Sequence, residues 1–450
     1  MPPSHRELRE RAQALLPVLR ERAARSEELR RIPEETLRDF HAAELFRIHQ
    51  PRRVGGAELE FAAVVEFGAL LARACASTAW NWVNFAAHHM MLGMFPAKVQ
   101  DEIWDASRDA LIASSFVFPA AKAKRTKGGY VLSGRWPFSS GVDPSEWNML
   151  AGLAFLDENA PPEQRVFLLH KSQYRVIDTW FAGGLRGTGS KDVEAHEQFV
   201  PEHMTLSVAD TKGGPTPGSE LNPGVLYRMP VFALFPYMLS GVALGIAEGM
   251  IEDFSAVGTK TGKMTGARVA EIQSTQIRLA EATAYARISR LVQLTNCREA
   301  EEKLRTTEEQ LAATLYSIGD GVLATDEHAR ISLINRVAER LTGWTENEAL
   351  GRPIDEVFNI VNEDTRQKAQ NPVTRVLKEG IIVGLANHTA LIARDGTERP
   401  IDDSAAPIRS DDGRLIGVVL VFRDVSDRRQ RERHRQQLLA REQTARWRAE

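Results

Sequence analysis

The chain has 450 residues, of which 43% are hydrophobic and 26% charged, and its net charge is −3. This length exceeds what a single hydrophobic core usually organises, so we expect two or three domains. The nearly balanced charge argues against nucleic acid or an anionic membrane as a general partner. Cys75 and Cys297 show no metal-ligand spacing, and the N-terminal residues lack an apolar signal segment, so we expect no metal site and a cytoplasmic location.

Residues 1–112 are predicted to form a helical domain. Leu8, Ala12, Leu15 and Leu19 recur at helical spacing in a charged background. Pro33 is well placed to begin a second helix, since proline is favoured at helix starts.

Residues 113–225 are predicted to form a small β domain, because short β-type runs alternate there with Gly, Pro and Asp. A period-two pattern predicts a half-buried strand whose buried face carries Tyr130, Leu132, Trp136 and Phe138. The strand runs into Ser139-Ser140-Gly141, where hydroxyls lie beside a residue that tolerates positive φ. Aromatic walls and hydroxyls suit a flat heteroaromatic such as an isoalloxazine ring. The structural alternative is a β-hairpin edge with a Ser-rich turn.

Residues 226–296 are predicted to return to helices, the last running from Gly266 to about Asn296. Two apolar stretches, 74–94 and 231–247, approach the length of a membrane span. Polar residues interrupt the first and Pro236 is expected to break the second. We therefore expect buried helices of a large domain and no membrane attachment.

Residues 297–312 are predicted to form a charged helical linker. A second α+β unit follows at 313–427, with a short helix from Asn335 to Leu341 and a hairpin turning at Asp395-Gly396. Residues 428–450 are predicted to form an Arg-rich helix.

Two glycine-containing segments fail the requirements of nucleotide-binding motifs. Gly187 to Ser190 lacks the third glycine of a dinucleotide fingerprint. Gly258 to Lys263 is one residue too short for a phosphate-binding loop, and Met264 replaces the required Ser or Thr. We expect neither of these two kinds of site.

Several motifs between residues 5 and 296 follow one another in the order of the acyl-CoA dehydrogenase fold. They are Arg31–Thr36, Pro51–Gly56, Cys75–Trp80, Gln100–Trp104, Gly134–Gly141 and Leu185–Ser190. Within that fold they resemble the flavin-dependent monooxygenase branch, the oxygenase components of two-component aromatic hydroxylases. The Gly-Ser-Asp signature of true acyl-CoA dehydrogenases is absent after Ser115, which favours the hydroxylase branch.

This resemblance implies a reduced flavin, FMN or FAD, supplied by a separate flavin reductase, and a small aromatic substrate. It implies that His88, with His89 as an alternative, and Ser114 contact the substrate, and that Ser139 or its neighbour Ser140 accepts a hydrogen bond from the flavin N5. The implied cofactor-binding residues are Trp136, Phe138, Ser139, Ser140, Gly141, Arg186, Gly187, Thr188, Gly189 and Ser190. For the two histidines, the structural alternative is a helix face on which one histidine makes its hydrogen bonds within the core. For residues 187–190, the alternative is a tight turn.

Members of the resembled family continue through later helices, which carry a second active-site histidine in the hydroxylases. After Asn296 this chain shows neither those helices nor that histidine. We therefore expect a partial α bundle whose exposed apolar faces favour a homo-oligomer. We also expect an open flavin pocket that admits water and yields hydrogen peroxide in place of product.

Residues 313–427 resemble a PAS domain of the bacterial histidine-kinase type. The resemblance rests on Ser317–Asp326, Asn335, Leu341–Trp344, Arg394–Gly396, Asp403–Ile408 and Val418–Asp424. Asp424 is placed to cap the helix that follows. His328 and His388 are candidate haem ligands, with a surface or strand histidine as the alternative. No phosphoacceptor histidine box follows, so autophosphorylation is not expected.

The predicted fold class is multidomain α+β. An acyl-CoA dehydrogenase-like module, comprising an α domain, a small β domain and a partial α bundle, precedes a PAS domain and a helical tail. Two functions from different classes remain: a flavin-dependent oxygenase, or a sensory or interaction protein whose flavin-fold half is an inactive scaffold. A fusion without joint function is a third possibility.

Overall fold

The structure is a computed structural model that describes residues 2–156, 161–258, 272–317, 319–384, 389–409, 415–428 and 430. The chain divides into two compact units, Met1–Arg305 and Thr306–Glu450. Some predicted features lie outside the described residues: the helix start at Gly266, the segment after Gly258, His388 and nearly all of the tail 428–450.

Helices open unit 1. They are α1 (His5–Glu21), α2 (Ala23–Leu29), α3 (Glu34–Ala42), α4 (Ala62–Ala72), α5 (Ala76–Leu92) and α6 (Ala97–Ala106). Ser4 and Glu7 form a capping box at the start of α1, and Pro33 directly precedes α3 as predicted. Helix α5 is buried on nearly all sides, which explains why it carries no Asp, Glu, Lys or Arg.

One sheet follows the helices. Its strands are β1 (Ile112–Ser115), β2 (Ala121–Thr126), β3 (Gly129–Ser139), β4 (Trp147–Phe155), β5 (Glu163–His170), β6 (Arg175–Ile177), β7 (Lys191–Pro201) and β8 (Thr205–Ser207). Their order is β6-β7-β3-β2-β4-β5-β8, and β1 pairs with β4 in parallel. Strand β3 therefore lies inside the sheet, antiparallel to β2 and β7.

The predicted buried face of β3 is correct at three positions and wrong at the fourth. Tyr130, Leu132 and Trp136 are fully buried, whereas Phe138 is 62% exposed. The pairing of β3 with β7 shifts register between Trp136 and Ser139, and Phe138 takes a φ of +62°. This irregularity inserts a residue into the alternation, so Phe138 is displaced from the buried face that Trp136 occupies.

Two long helices follow, α7 (Val231–Gly258) and α8 (Gln273–Ser317), of which α8 runs past the end of unit 1 at Arg305. The prediction that Pro236 breaks the apolar stretch 231–247 was wrong, because α7 continues through Pro236. Tight packing holds α7 against α4. A Cβ on Gly245 would lie 2.1 Å from the Ala69 carbonyl oxygen, and one on Gly241 would lie 2.7 Å from that of Val65. Glycine thus permits α7 to approach α4 closely. This packing offsets the backbone hydrogen bond that Pro236 cannot donate.

Helix α7 is the one helix among the described residues whose length and apolar composition would suffice to cross a membrane. Its glycine-bearing side is occupied by α4, as in a core helix of a globular domain. The same length and composition occur in such helices, so this feature is weak evidence for a span.

Unit 2 contains a second sheet with short helices. Its elements are β9 (Gly321–Asp326), β10 (Ile331–Ile334), α9 (Arg336–Thr342), α10 (Glu346–Ala349), α11 (Ile354–Val357), β11 (Ile360–Asn362), α12 (Pro372–Glu379), β12 (Val383–Gly384), β13 (Thr389–Ile392), β14 (Glu398–Arg409) and β15 (Leu415–Asp424). The strand order is β10-β9-β15-β14-β13-β11, with β12 on β14. A short helix was predicted from Asn335 to Leu341, and α9 lies there with Asn335 as its N-cap residue. Asp395-Gly396 turns the β13–β14 hairpin as predicted.

Candidate active site where strands β1 and β3 meet

The ends of β1 and β3 bring together two serines predicted to serve one site. Ser114 and Ser140 form an antiparallel bridge just beyond the end of β3. The backbone N–H of Gly141 donates to the Thr188 carbonyl at 2.9 Å, so residues 185–190 join the same place. Gly141 has a φ of +72°, and a Cβ there would lie 2.5 Å from the Phe85 ring. The residue must therefore be glycine for the backbone to approach α5.

Side-chain hydroxyls form a continuous chain at this junction. Ser140 Oγ lies 2.8 Å from Ser190 Oγ, which lies 2.7 Å from Thr188 Oγ1. Thr188 donates to the Leu185 carbonyl at 2.9 Å, and the Trp80 indole N–H donates to Ser140 Oγ at 3.1 Å. Trp80 lies on α5 inside a motif of the resemblance, but the sequence alone did not single it out as a site residue.

The neighbouring hydroxyl of Ser139 points into the sheet. Ser139 is fully buried, and its Oγ accepts a hydrogen bond of 2.9 Å from the Asn148 amide on β4. Ser140 is only partly buried. Of the two serines left open by the sequence, Ser140 is therefore the more accessible to a bound molecule.

A carboxylate holds residues 185–190 against the helices. Glu27 on α2 accepts hydrogen bonds from the backbone N–H groups of Arg186 at 2.8 Å and Gly187 at 3.2 Å, and from the Ser77 hydroxyl on α5. Gly189 has a φ of +56°, and a Cβ there would lie 2.9 Å from the Arg30 carbonyl. The segment is thus a rigid tight turn that also presents its hydroxyls to Ser140. Glu27 was missed because a single Glu on a charged helix carries no sequence signal.

His88 and His89 are both fully buried, but they face different groups. His88 Nδ1 lies 2.5 Å from the Ile112 carbonyl oxygen on β1, so Nδ1 carries the proton and Nε2 keeps its lone pair. Nε2 has no hydrogen-bond partner among the described residues. His89 Nδ1 instead accepts from the Trp104 indole at 3.2 Å, and its ring stacks on that indole.

Burial lowers the pKa of His88 to about 4 and that of His89 to about 3. Both imidazoles are therefore neutral at neutral pH. For His88 this leaves a hydrogen-bond acceptor, buried and unoccupied by described side chains, at Nε2.

Aromatic side chains that the sequence did not single out line the region beside His88. The Phe116 ring contacts His88 edge-on, with centroids 6.0 Å apart, and packs against Phe232 and Phe235 of α7 at 5.3 and 5.2 Å. All three phenylalanines are partly exposed. Phe232 and Phe235 were missed because an apolar helix gives no sign of which face lines a site.

The residues present fit a flat heteroaromatic cofactor. Phe138 packs edge-on against Trp180, with centroids 6.2 Å apart, and leaves most of its ring exposed. Trp136 lies elsewhere: it is fully buried and donates to the Ala151 carbonyl at 2.6 Å. An exposed aromatic ring close in sequence to the partly exposed Ser140 hydroxyl suits an isoalloxazine ring, which offers π faces and polar edges.

Unit 2 holds the other predicted ligands and caps. His328 lies in an exposed turn, with its backbone N–H donating to Asp326. Asp424 accepts a hydrogen bond of 2.8 Å from Ser426 N–H, as its predicted capping role requires. The guanidinium groups of Arg352 and Arg394 both lie over the Trp344 ring, 4.9 and 4.4 Å from its centroid.

Comparison with known families identifies the domains of the chain. The acyl-CoA dehydrogenase N-terminal domain matches residues 2–101, the acyl-CoA dehydrogenase C-terminal domain matches residues 237–331, and the PAS fold matches residues 309–425. Fold and site thus define an acyl-CoA dehydrogenase-like protein with a PAS domain.

Individual relatives narrow this class. The chain is 36% identical over 273 residues to the oxygenase component of the FADH2-dependent resorcinol hydroxylase of Rhizobium sp. (strain MTP-10005), covering 59% of this chain and 66% of that one. It is 31% identical over 277 residues to the pigment production hydroxylase of Rhodococcus erythropolis, covering 60% and 70%. The crystal structure of 3-HSA hydroxylase from Rhodococcus sp. RHA1 matches with a TM-score of 0.64 and 30% identity, over 67% of this chain and 77% of that one. The chain belongs to the flavin-dependent monooxygenases of the acyl-CoA dehydrogenase fold.

The resemblances to the flavin-dependent monooxygenases and to the PAS fold are therefore confirmed, whereas the histidine-kinase type of the PAS domain stays a prediction. The chain spans between 59% and 66% of the length of the first three curated relatives it matches.

Proposed function

We propose that this protein is the oxygenase component of a two-component flavin-dependent hydroxylase that acts on small phenols. One observation carries the proposal: buried, neutral His88 keeps Nε2 without a partner among the described residues, beside the aromatic ring of Phe116. A buried acceptor next to aromatic rings fits a ligand with a hydroxyl donor on an aromatic ring. Leaving such an acceptor unpaired costs about 1–3 kcal/mol, which a phenol hydroxyl would recover.

The residues of the site take separate roles in this proposal. His88 Nε2 accepts the phenol O–H, and its Nδ1–H on the Ile112 carbonyl fixes the orientation of the imidazole. Phe116, Phe232 and Phe235 pack around the ring of the substrate and exclude water from it. Ser114 lies next to Ser140 and so links the substrate side of the site to the cofactor side.

The cofactor in this proposal is a reduced flavin, FMN or FAD, delivered by a separate flavin reductase. When bound, the reduced flavin activates molecular oxygen and supplies one oxygen atom to the substrate. Ser140 accepts the hydrogen bond of the flavin N5–H, and Phe138 with Trp180 offers an aromatic surface. The relative from Rhizobium is named as FADH2-dependent, which supports a reduced flavin.

The test supplies the full-length protein with chemically reduced FMN or FAD, oxygen and a panel of phenols. Hydroxylated product and hydrogen peroxide are both quantified. Their ratio decides between this proposal and the expectation from the sequence that an open pocket admits water and yields peroxide in place of product. The His88→Asn variant keeps an amide donor for the Ile112 carbonyl but removes Nε2. We expect it to lower kcat/KM about 100-fold, since a positioned proton acceptor contributes at least that much.

The exposed His196→Gln variant serves as the control and should match the wild type. Absence of product with every phenol and both flavins would refute the proposed activity. Equal kcat/KM for His88→Asn and wild type would refute the role of His88.

The PAS unit supports a second, regulatory role for the chain. Helix α8 begins in unit 1 at Gln273 and ends at Ser317, inside the PAS match of residues 309–425. We propose that the PAS unit, like other sensory modules, modulates the activity of the oxygenase through this helix. We also propose that the protein works in the cytoplasm. Removing residues 318–450 should then change kcat while the affinity for flavin stays the same. Equal kcat with and without these residues would refute this role.

We also propose that the protein forms a homo-oligomer through the helices α7 and α8. A cavity of about 800 Å³ lies between them, lined by apolar side chains that include Tyr237, Leu244, Met250, Tyr285, Ile288 and Val292. Leu291, also on α8, is 67% exposed. A contiguous apolar surface of this kind favours association with another chain, and a second copy is always present at equal concentration.

A further inference from the structure

In the chain of hydroxyls that ends at Ser140, only one assignment of donors and acceptors is consistent. Each Ser or Thr hydroxyl has one hydrogen to donate and two lone pairs to accept with. Thr188 donates its hydrogen to the Leu185 carbonyl, which has none to give back. Ser190 must therefore donate to Thr188, and Ser140 must donate to Ser190.

This direction determines what Ser140 can offer to a bound molecule. Its single hydrogen is directed to Ser190, and one of its lone pairs accepts the Trp80 indole N–H at 3.1 Å. One lone pair remains that none of the described residues occupies. Ser140 thus faces the site as an acceptor only.

We propose that Thr188 and Ser190 are positioning residues that lock Ser140 as a hydrogen-bond acceptor, and that they thereby make the site select reduced over oxidised flavin. The inference rests on the proposed function. Reduced flavin carries a hydrogen on N5 and needs an acceptor, whereas oxidised flavin presents a lone pair at N5 and needs a donor. Hydrogen bonds to ring nitrogens are a main way in which proteins tune such cofactors.

Burial strengthens the hydrogen bonds that fix the orientation of the Ser140 hydroxyl. Thr188 is 1% exposed and Ser190 is 5% exposed, so water does not compete for their hydroxyls. Glu27 holds the backbone of the same turn through Arg186 and Gly187, which keeps the Leu185 carbonyl in place as the terminal acceptor. Reversing the chain would require Thr188 to give up a neutral buried hydrogen bond.

The Ser190→Ala variant removes the acceptor for the Ser140 hydrogen. Ser140 is then free to rotate and to donate into the site, which favours oxidised flavin. The measurement is the ratio of the dissociation constants of oxidised and reduced FMN, determined anaerobically on the full-length protein, and again with FAD. We expect this ratio to fall about three- to tenfold in Ser190→Ala, the range that one neutral hydrogen bond supplies.

Three further variants separate this selection from a loss of structure. Thr188→Val should lower the ratio like Ser190→Ala, whereas Thr188→Ser keeps the hydroxyl and should restore it. Ser207→Ala removes a buried hydroxyl of β8, which accepts from Ala209 N–H, and should leave the ratio unchanged. A purely structural role would weaken both flavin forms equally and leave the ratio at its wild-type value.

A double-mutant comparison tests whether the effect passes through Ser140. In the Ser140→Ala background, Ser190→Ala should no longer change the ratio. If it changes the ratio as much as before, or if Ser190→Ala alone leaves the ratio unchanged, the proposal is overturned. A wild-type protein that binds neither flavin form would instead refute the proposed function itself.

Discussion

The Glu301 carboxylate accepts a hydrogen bond of 3.0 Å from the backbone N–H of Phe61, although 240 residues separate the two in sequence. Phe61 is the N-cap residue of α4 and lacks a side-chain cap of its own. Helix α8 therefore supplies the cap for α4, and buried Cys297 with partly buried Leu304 packs the same stretch of α8 against the core. The predicted linker is thus part of the fold at this point.

We expect Glu301→Ala to lower the free energy of unfolding of unit 1 by about 1 kcal/mol, the usual loss for a helix cap. Glu301→Gln keeps an oxygen acceptor and should retain most of that stability. Urea unfolding followed by circular dichroism measures both. Equal stability of the Ala variant and the wild type would contradict the capping role.

The wild type and Glu301→Gln should respond differently to pH. Burial, with a smaller contribution from Glu60, raises the pKa of Glu301 in the folded state. The unfolded carboxyl then ionises first, so the wild type should lose stability as the pH rises through the raised pKa. Glu301→Gln has no such proton and should not show this loss. A constant stability difference between the two proteins from pH 4 to pH 7 would contradict this prediction.

Buried histidines should destabilise the protein in mild acid. Burial lowers the pKa of His49 and His88 to about 4 and that of His89 to about 3. In the unfolded chain they bind protons near pH 6.5, so stability should be complete above that pH and fall as the pH drops toward 4. We expect a loss of up to about 2 kcal/mol per histidine between pH 7 and pH 5.

Chemical unfolding at several pH values measures this slope. Replacing His49 by Phe, which can stack on Phe61 as the imidazole does, should flatten the slope. Replacing exposed His196 by Gln should not change it. A wild-type stability that is constant from pH 7 to pH 5 would show that these imidazoles become protonated without penalty.

Gly245 on α7 should tolerate no larger side chain. A Cβ at this position would lie 2.1 Å from the Ala69 carbonyl oxygen of α4. We expect Gly245→Val to force the two helices apart and to cost about 1–3 kcal/mol or more. Ala243→Val on the exposed side of the same helix is the control, and it should cost only a few tenths through helix propensity. Similar melting temperatures for the two variants would contradict the tight packing.

Charge on the apolar surface of α8 should disrupt self-association. We expect light scattering to show dimers or larger assemblies of the wild type at micromolar concentration. The double variant Tyr285→Glu, Leu291→Glu should shift the protein to monomers, because burying unpaired carboxylates in an interface is costly. Val176→Glu on β6 makes the same kind of change elsewhere and should leave the assembly intact. A wild-type monomer would refute the proposed oligomer.

Several parts of this protein could be predicted from the amino-acid order because their causes are local. The helical spacing of Leu8, Ala12, Leu15 and Leu19 reflects one helix face that packs against the core. Leu15 is partly buried, and the other three are fully buried. Asn335 caps its helix and Asp395-Gly396 turns its hairpin through contacts within a few residues. The order of the motifs was sufficient to predict both families.

Other features depended on neighbours distant in sequence, so only the tertiary structure decided them. The register shift between β3 and β7 turned Phe138 to the surface and broke a regular alternation. The packing of glycines in α7 against α4 stabilises this helix, which continues through Pro236. The hydrogen bond from Asn148 on β4 placed the Ser139 hydroxyl inside the sheet and left the adjacent Ser140 at the site. Hydrogen bonds between strands and close contacts between helices have free energies as large as local preferences, and their partners cannot be identified until the chain has folded.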